Sequence, residues 1–348
     1  MSSGFLDARI VQVHPTLRCN LACAHCYSSS GPRMRGELPA DMLLARLTRL
    51  RAEGYDVVSF SGGEPLMYSA FDEVAAGAKE MGFRINLITN GLLLTPKRVA
   101  RLADTVSVLG LSLDGAPERH DRMRGLDGAF ERVSEKLSLL RDHDIAFGFA
   151  HCVTSESIED LPWLLAYALE QGARLLQLHP LTMAGRATSS CGSMALSAAD
   201  LARVFVIAEL LRIQAGGALI VQLDIAALPQ VLAHRKRHAI LAMDDAEDTT
   251  DRPLAELVNP IILDETGDLF PMAYGIDNSQ RIAGGSTSQC SEGIAAYKRT
   301  GTSALRRLLN AAFAALEDES PEFVDWYGHV VNVSHQLRPN TLSLPISA

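Results

Sequence analysis

"DVVSFSGGEPLMYSAFDEVAAGAKEMGFRINLITNG", residues 56–91, decides the fold. Its opening, "DVVSFSG" (56–62), is rich in β-branched and aromatic residues and stops at glycine, as a strand does. "AFDEVAAGAKEMG" (70–82) then carries apolar residues at helical spacing, and "FRINLITNG" (83–91) is strand-like again. Strand, helix and strand in this order form a βαβ unit, whose two strands lie parallel.

The same alternation continues on both sides. Upstream, "IVQVHP" (10–15) reads as a strand and "PADMLLARLTRLRAEG" (39–54) as a helix ended by Gly54. Downstream, "TPKRVARLAD" (95–104) is a helix with Thr95 as N-cap and Pro96 at its first position. The strands "VSVLGLSLDG" (106–115), "AFGFAHCVT" (146–154) and "ARLLQLHPL" (173–181) alternate with helices over 129–144, 157–172 and 197–217. Six βα units in a row predict an α/β fold with a parallel sheet and helices outside it. Six units curl into a partial (β/α)6 TIM-like barrel more readily than they make the eight-unit one. A doubly wound open sheet has the same periodicity, and in either fold ligands meet the C-terminal ends of the strands.

Past residue 218 the pattern changes. "ALIVQLDI" (218–225) is strand-like, "AEDTTDR" (246–252) is an acidic loop, and "NPIILDETGDLFPMAYG" (259–275) is a hairpin turning at Thr266-Gly267. "SEGIAAYKRTGTSALRRLLNAAFAALED" (291–318) is helical. The expected organisation is a barrel over 1–217 and a smaller α+β domain over 218–348.

The net charge of −9 argues against a nucleic-acid partner, because phosphate selects for Lys and Arg. The longest apolar runs, such as "LARVFVIAELL" (201–211), fall short of the roughly 20 residues of a bilayer span. The N-terminus has no secretory pattern, so the expectation is a cytoplasmic protein without membrane contact.

Six cysteines are present, and three of them crowd into "RCNLACAHCY" (18–27) as Cys19, Cys23 and Cys26, spaced C-x3-C-x2-C. In a large cytosolic chain such clustering favours metal binding or catalysis over disulfides. Structural zinc wants four ligands, and a redox pair wants two. Three thiolates on a four-iron cluster leave one iron open, as a catalytic site requires. Cys152, Cys191 and Cys290 are scattered; Cys191 falls in a polar "TSSCGS" (188–193) loop, where an exposed thiol would be a hydrogen-atom donor.

On these residues the sequence resembles the radical S-adenosylmethionine enzymes. The three-cysteine motif follows a first strand, with His25 where members often place an aromatic. "SGGEP" (61–65), "ITNG" (88–91), "LSLDG" (111–115), "HDRMRG" (120–125) and "LHPLTMAGRA" (178–187) match family stretches in order across residues 10–190. The resemblance implies one [4Fe–4S] cluster on Cys19, Cys23 and Cys26. It implies S-adenosyl-L-methionine held by His25, Ser61, Gly62, Gly63, Glu64, Asn90 and Ser112. Asp114, His179 and Arg186 are the candidate catalytic residues. The reduced cluster would cleave the cofactor to a 5′-deoxyadenosyl radical that abstracts a substrate hydrogen. An external reductant such as flavodoxin or ferredoxin is implied as partner.

The C-terminal region is similar to the SPASM/twitch-like appendage of many members, but it reads "LFPMAYG" (269–275) where they show Pro-Cys. Only Cys290 lies beyond residue 191, so the expected appendage is a lid without an auxiliary cluster. The expected substrate is a ribosomal peptide or protein side chain. Small-molecule dehydrogenation, decarboxylation or rearrangement is the alternative, and an iron–sulfur electron-transfer or metal-binding module is the non-radical one. About nine residues precede the first strand, so no leader-binding domain is expected there.

Overall fold

In the computed structural model, residues 8–233, 235 and 249–337 are described. Strands β1 (Ile10–Val13), β2 (Val57–Phe60), β3 (Arg84–Thr89), β4 (Val108–Ser112), β5 (Phe147–Val153), β6 (Leu175–Pro180) and β7 (Ile220–Leu223) pair in sequence order, all parallel. Helices α1 (Ala40–Ala52), α2 (Phe71–Glu80), α3 (Pro96–Ala103), α4 (Pro117–Arg124), α5 (Ala129–Ser134), α6 (Leu137–Asp142), α7 (Leu161–Glu170), the short α8 (Ala187–Ser190) and α9 (Ala198–Ala215) form the crossovers. Two of these helices start on side-chain caps, the first of them expected from the sequence. Thr95 accepts from Arg98 N at the start of α3, and Ser197 makes a reciprocal capping box with Asp200 at α9.

Burial alternates along the strands. On β6, Leu176, Leu178 and Pro180 are buried on the outer face, while Leu175, Gln177 and His179 face the inside of the curve and stay partly open. The outer face and the helices share one apolar core, with Val58, Phe60, Ile85, Leu87, Leu109, Phe149 and Leu176 at its centre. The inner face carries the polar residues.

Two features extend the six-strand expectation. The stretch 218–225 supplies β7, which pairs with β6 as a seventh parallel strand. The hairpin β9 (Ile261–Leu263) and β10 (Leu269–Pro271) joins the sheet at its other edge, with β9 parallel to β1. His14 N donates to Leu263 O at 2.8 Å and prolongs that pairing. The predicted single helix over 129–144 is split into α5 and α6. Ser134 Oγ turns back to bond Phe130 O at 2.8 Å, which bends a helix at that point.

The remaining chain comprises β8 (Ala226–Ala227), α10 (Leu228–Ala233), α11 (Leu254–Leu257), α12 (Thr287–Ala296), α13 (Thr302–Glu319), β11 (Phe323–Val324) and α14 (Trp326–Gln336). Of the predicted acidic loop 246–252, residues 246–248 lie outside the described residues. Helix α14 starts beside Asp224, whose charge Asp325 feels, at the end of β7. It ends at the loop after β10, where Ser334 Oγ accepts from Asp277 N at 3.0 Å and His335 Nε2 bonds Gly275 O at 2.8 Å. Its 11 residues therefore link the two edges of the sheet across the gap that an incomplete barrel leaves. Among the described residues no helix is long and apolar enough to cross a membrane.

Candidate functional site

The chain leaves β1 into a loop that crosses the C-terminal ends of the strands and carries all three clustered cysteines. The loop closes on itself through Cys19 N to Gly31 O at 3.3 Å and Gly31 N to Leu17 O at 3.1 Å. Cys19 and Cys23 are buried and Cys26 is half-buried. Each sulfur faces a donor. Leu21 N lies 3.4 Å and Asn90 Nδ2 3.9 Å from Cys19 Sγ, Arg124 Nη1 lies 3.6 Å from Cys23 Sγ, and the Ser28 hydroxyl lies 3.5 Å from Cys26 Sγ. Burial pushes the Cys19 thiol up to about 12 and raises Cys23 as well, and the neighbouring thiols add to the rise at both. Three neighbouring thiols, two of them held protonated by burial yet all three sitting under N–H or O–H donors, suit bound metal: the cation pays for the thiolates and the donors solvate their sulfur. The residues present thus fit an iron–sulfur group on Cys19, Cys23 and Cys26.

The SGGE segment packs against the approach of the cysteine loop. Its close approach is to the chain's own backbone. A Cβ on Gly63 would lie 2.2 Å from Arg18 O, and one on Gly62, whose φ is +95°, 3.0 Å from His14 Cα. Gly63 N donates to Thr16 O at 2.9 Å and Glu64 N to Arg18 O at 2.8 Å, so the segment is bonded edge-on to the approach of the cysteine loop. The buried Glu64 carboxylate accepts from Leu66 N, Thr89 Oγ1 and Asn90 N at 3.1, 2.7 and 2.9 Å. Burial raises its pKa against these three bonds. Asn90, fixed in turn, donates to Asn20 Oδ1 at 2.8 Å on the cysteine loop. Ser61 ends β2 half-buried, with its N on Val13 O at 2.8 Å.

Asp114 is 1% exposed and has two charged or chargeable partners, Arg124 at the end of α4 and His25 on the cysteine loop. Its Oδ2 lies 2.6 Å from Arg124 Nε, and its Oδ1 3.7 Å from His25 Nε2. Burial would lift the Asp114 carboxyl, but Arg124 and then His25 hold it well below the usual carboxylate range. His25 is itself brought down to about 4 by burial, against the pull of Asp114. Arg186 also points at the loop. Its Nη1 donates to Cys23 O and its Nη2 to Ser30 O, both at 2.7 Å, while its N donates to Cys26 O at 2.9 Å. Beside it, a Cβ on Gly185, φ +56°, would lie 2.2 Å from Tyr27 O. So Asp114 and Arg186, two of the three candidate catalytic residues, both lie against the cysteine loop.

His179 is different. It is half-buried on the inner face of β6, in register with Cys152. Continuing the register by two residues at the β4 flank and one at the β7 flank gives a row across the strand ends: Asp114, Cys152, His179, Asp224. One layer deeper, Ser112, Ala150, Gln177 and Gln222 form the next row. Asp224 accepts from Gln177 Nε2 and Gln222 Nε2, both at 2.9 Å. Asp325, at the head of α14, is raised to about 6 by burial, with Asp224's charge adding to the rise. Cys191, expected on an exposed loop, is buried with Cys152, Leu181 and Ala187.

Several site residues escaped the sequence reading. Arg124 was visible only as part of "HDRMRG", and nothing local tied it to a sulfur 101 residues away. Tyr27, directly after Cys26, meets Tyr274 edge-on at 5.4 Å, and Tyr274 stacks on His14 at 4.5 Å. Tyr274 also donates to Glu265 at 3.2 Å within the C-terminal hairpin, so the Tyr27 contact ties that hairpin to the cysteine loop. Asp224 had a usable signal: it ends a strand-like run, where the site lies in such folds.

The profile of the Radical SAM superfamily matches residues 13–168. The chain is 35% identical over 185 residues to "AdoMet-dependent heme synthase" of Methanosarcina barkeri, covering 52% of this chain and 53% of that one. It is 36% identical over 173 residues to "Mycofactocin maturase MftC" of Mycolicibacterium smegmatis, covering 47% and 43%. The chain spans about half the length of the curated relatives it matches. Among solved structures, anSMEcpe "with bound AdoMet and Cp18Cys peptide" superposes with a TM-score of 0.64 at 18% identity, covering 87% of this chain and 83% of that one. At that identity the likeness is one of fold alone.

Proposed function

From the premise that residues 13–168 are a radical SAM superfamily domain, whose members use S-adenosylmethionine and an iron–sulfur cluster, we propose that this chain carries one [4Fe–4S] cluster and modifies a peptide or protein side chain. The observation that carries the reading is the loop of three thiols, each under its own donor, set at the mouth of a polar-lined barrel. When bound, the cluster and S-adenosylmethionine supply a 5′-deoxyadenosyl radical for hydrogen abstraction, with electrons from a reductant such as flavodoxin or ferredoxin.

The chain's own residues divide the remaining work. Cys19, Cys23 and Cys26 ligate. Asn90, Arg124 and Arg186 hold the ligating loop in one geometry. Ser61, Gly62, Gly63 and Ser112 present backbone and hydroxyl groups to S-adenosylmethionine beside that loop, and Glu64 and His25 shape the same wall. Asp114 orients Arg124 and His25. His179 faces the space where substrate enters and moves a proton there at its free ring nitrogen. The segment from 218 onward acts as a lid: α14 spans the lateral gap and keeps water and stray hydrogen donors from the lumen.

Similarity to a peptide maturase at 36% identity supports the peptide. A second reading, a tetrapyrrole-like small molecule, draws on the heme synthase similarity at 35%. The test is anaerobic reconstitution with iron and sulfide, addition of dithionite and S-adenosylmethionine, and quantification of 5′-deoxyadenosine against Cys23→Ala. Formation only by the wild type supports radical chemistry. The same assay with a peptide panel and with iron coproporphyrin then separates the readings, since the true substrate raises deoxyadenosine and appears modified by mass. A wild type that binds four irons and never cleaves S-adenosylmethionine leaves an electron-transfer module.

A further inference from the structure

The geometry points to Arg124 as a positioning residue that sets the reduction potential of the cluster, with Asp114 as its counterweight. The inference rests on the reading that Cys19, Cys23 and Cys26 hold an iron–sulfur cluster, and it assigns a role to side chains outside the ligand set.

Helix α4 ends at Arg124, and Gly125 closes it in the left-handed conformation at φ +65°. The cysteine loop is bonded to that helix end, since Ala24 N donates to Met123 O at 3.0 Å. The docking brings the Arg124 guanidinium to the loop from within the barrel wall, where its side chain is 9% exposed. Its two ends do different things. Nη1 lies 3.6 Å from Cys23 Sγ, and Nε lies 2.6 Å from Asp114 Oδ2. A donor on a ligating sulfur and a fixed positive charge both stabilise the added electron of a reduced cluster. With little water near to screen it, the charge acts at close to full strength. The carboxylate of Asp114, fixed on the far side of the guanidinium, opposes that effect in part. Arg124 therefore raises the potential and Asp114 lowers it.

A merely structural brace predicts something else. Loosening the loop by removing either partner of the ion pair would move the cluster's environment in one common direction, or not move its potential at all. Opposite shifts from the two halves of one ion pair are the signature of charge.

The measurement is a mediator titration of the reconstituted full chain without S-adenosylmethionine, following the reduced-cluster EPR signal, with iron and sulfide counted per chain. Arg124→Gln is expected to shift the midpoint to more negative potential. Arg124→Lys, which keeps the charge, shifts it less. Asp114→Asn shifts it to more positive potential. If Arg124→Gln fails to retain iron, Arg124→Lys and Asp114→Asn carry the test, and a null or negative shift in Asp114→Asn overturns the inference. Wild-type potential in a fully loaded Arg124→Gln overturns it as well, while leaving the cluster itself established. A wild type that binds no cluster removes the reading beneath the inference, and the inference with it.

Discussion

The near half of the barrel mouth, over β1–β4, is built to a different standard from the far half, over β6 and β7. In the near half every wall of the cysteine loop is bonded to something. SGGE holds its entry, α4 holds its centre and Arg186 holds its exit. In the far half, His179 stands half-open and Asp224 is held by two glutamine amides. Cluster chemistry tolerates little movement of the ligand loop, so the near half is over-determined. A substrate has to enter and leave, so the far half is left with polar groups still to satisfy.

The largest predicted effect sets the two halves against each other by pH. In the near half, burial holds His14 neutral, with its pKa lowered to about 3 from 6.5. The unfolded chain binds that proton more readily. The stabilisation is therefore full above 6.5 and is lost as pH falls toward 3, up to about 5 kcal/mol for this group. In the far half, Asp325 is raised to about 6 from 3.8, so its contribution is full below 3.8 and is lost as pH rises through 6, about 3 kcal/mol. Urea denaturation of the cluster-free chain between pH 4 and 8 reads the sum, and His14→Gln should flatten the acid limb. An unchanged acid limb in His14→Gln would remove the distinction for the near half.

Gly63→Ala comes next. Its Cβ would lie 2.2 Å from Arg18 O, a backbone atom that cannot rotate away, so the approach to Cys19 must shift. About 3 kcal/mol of stability and most of the bound iron should be lost together, as read by thermal melting and iron analysis. Retained iron would mean that the near half is more compliant than its bonding suggests.

These contacts also mark where the sequence stopped being readable. The order of strands and helices was legible because each unit declares its own period, and Thr95-Pro96 declared a cap as well. The cysteine motif was legible because its spacing is local. That the hairpin at 261–271 would pair with β1 was not, because the partners lie some 250 residues apart and alternation says nothing about which edge a strand joins. The contacts of Asp114 and Arg186 were hidden for a related reason. A polar residue at a strand end looks the same whether it faces a ligand or the loop that will hold one. Only the Arg124 and Cys23 contacts separate the two.

A narrower effect belongs to Asp325→Asn. Asparagine keeps the N-cap bond to Gly328 N, found at 3.1 Å, and removes the buried charge. Stability should rise by about 3 kcal/mol at pH 8 and by only about half as much at pH 5, where the unfolded carboxyl is ionised but the native one still holds its proton. Chemical denaturation at the two pH values checks it, and an equal change at both would assign the effect to the cap instead of the charge.

The smallest effect on the fold falls on the residue given the most chemistry. His179 is half-buried in the middle of the strand-end row, flanked in register by Cys152 and Asp224. Truncating it to alanine removes no core side chain, so the stability change should stay within about 0.5 kcal/mol. The cysteine loop does not rest on it, so iron content and the yield of 5′-deoxyadenosine without substrate should match the wild type. What should fall is product per deoxyadenosine formed, by about 10²-fold if His179 moves a proton in the reaction. That split, with cofactor cleavage intact and substrate conversion lost, is what a near half for the cofactor and a far half for the substrate require. Equal loss of both would place His179 with the loop-bracing residues and dissolve the division.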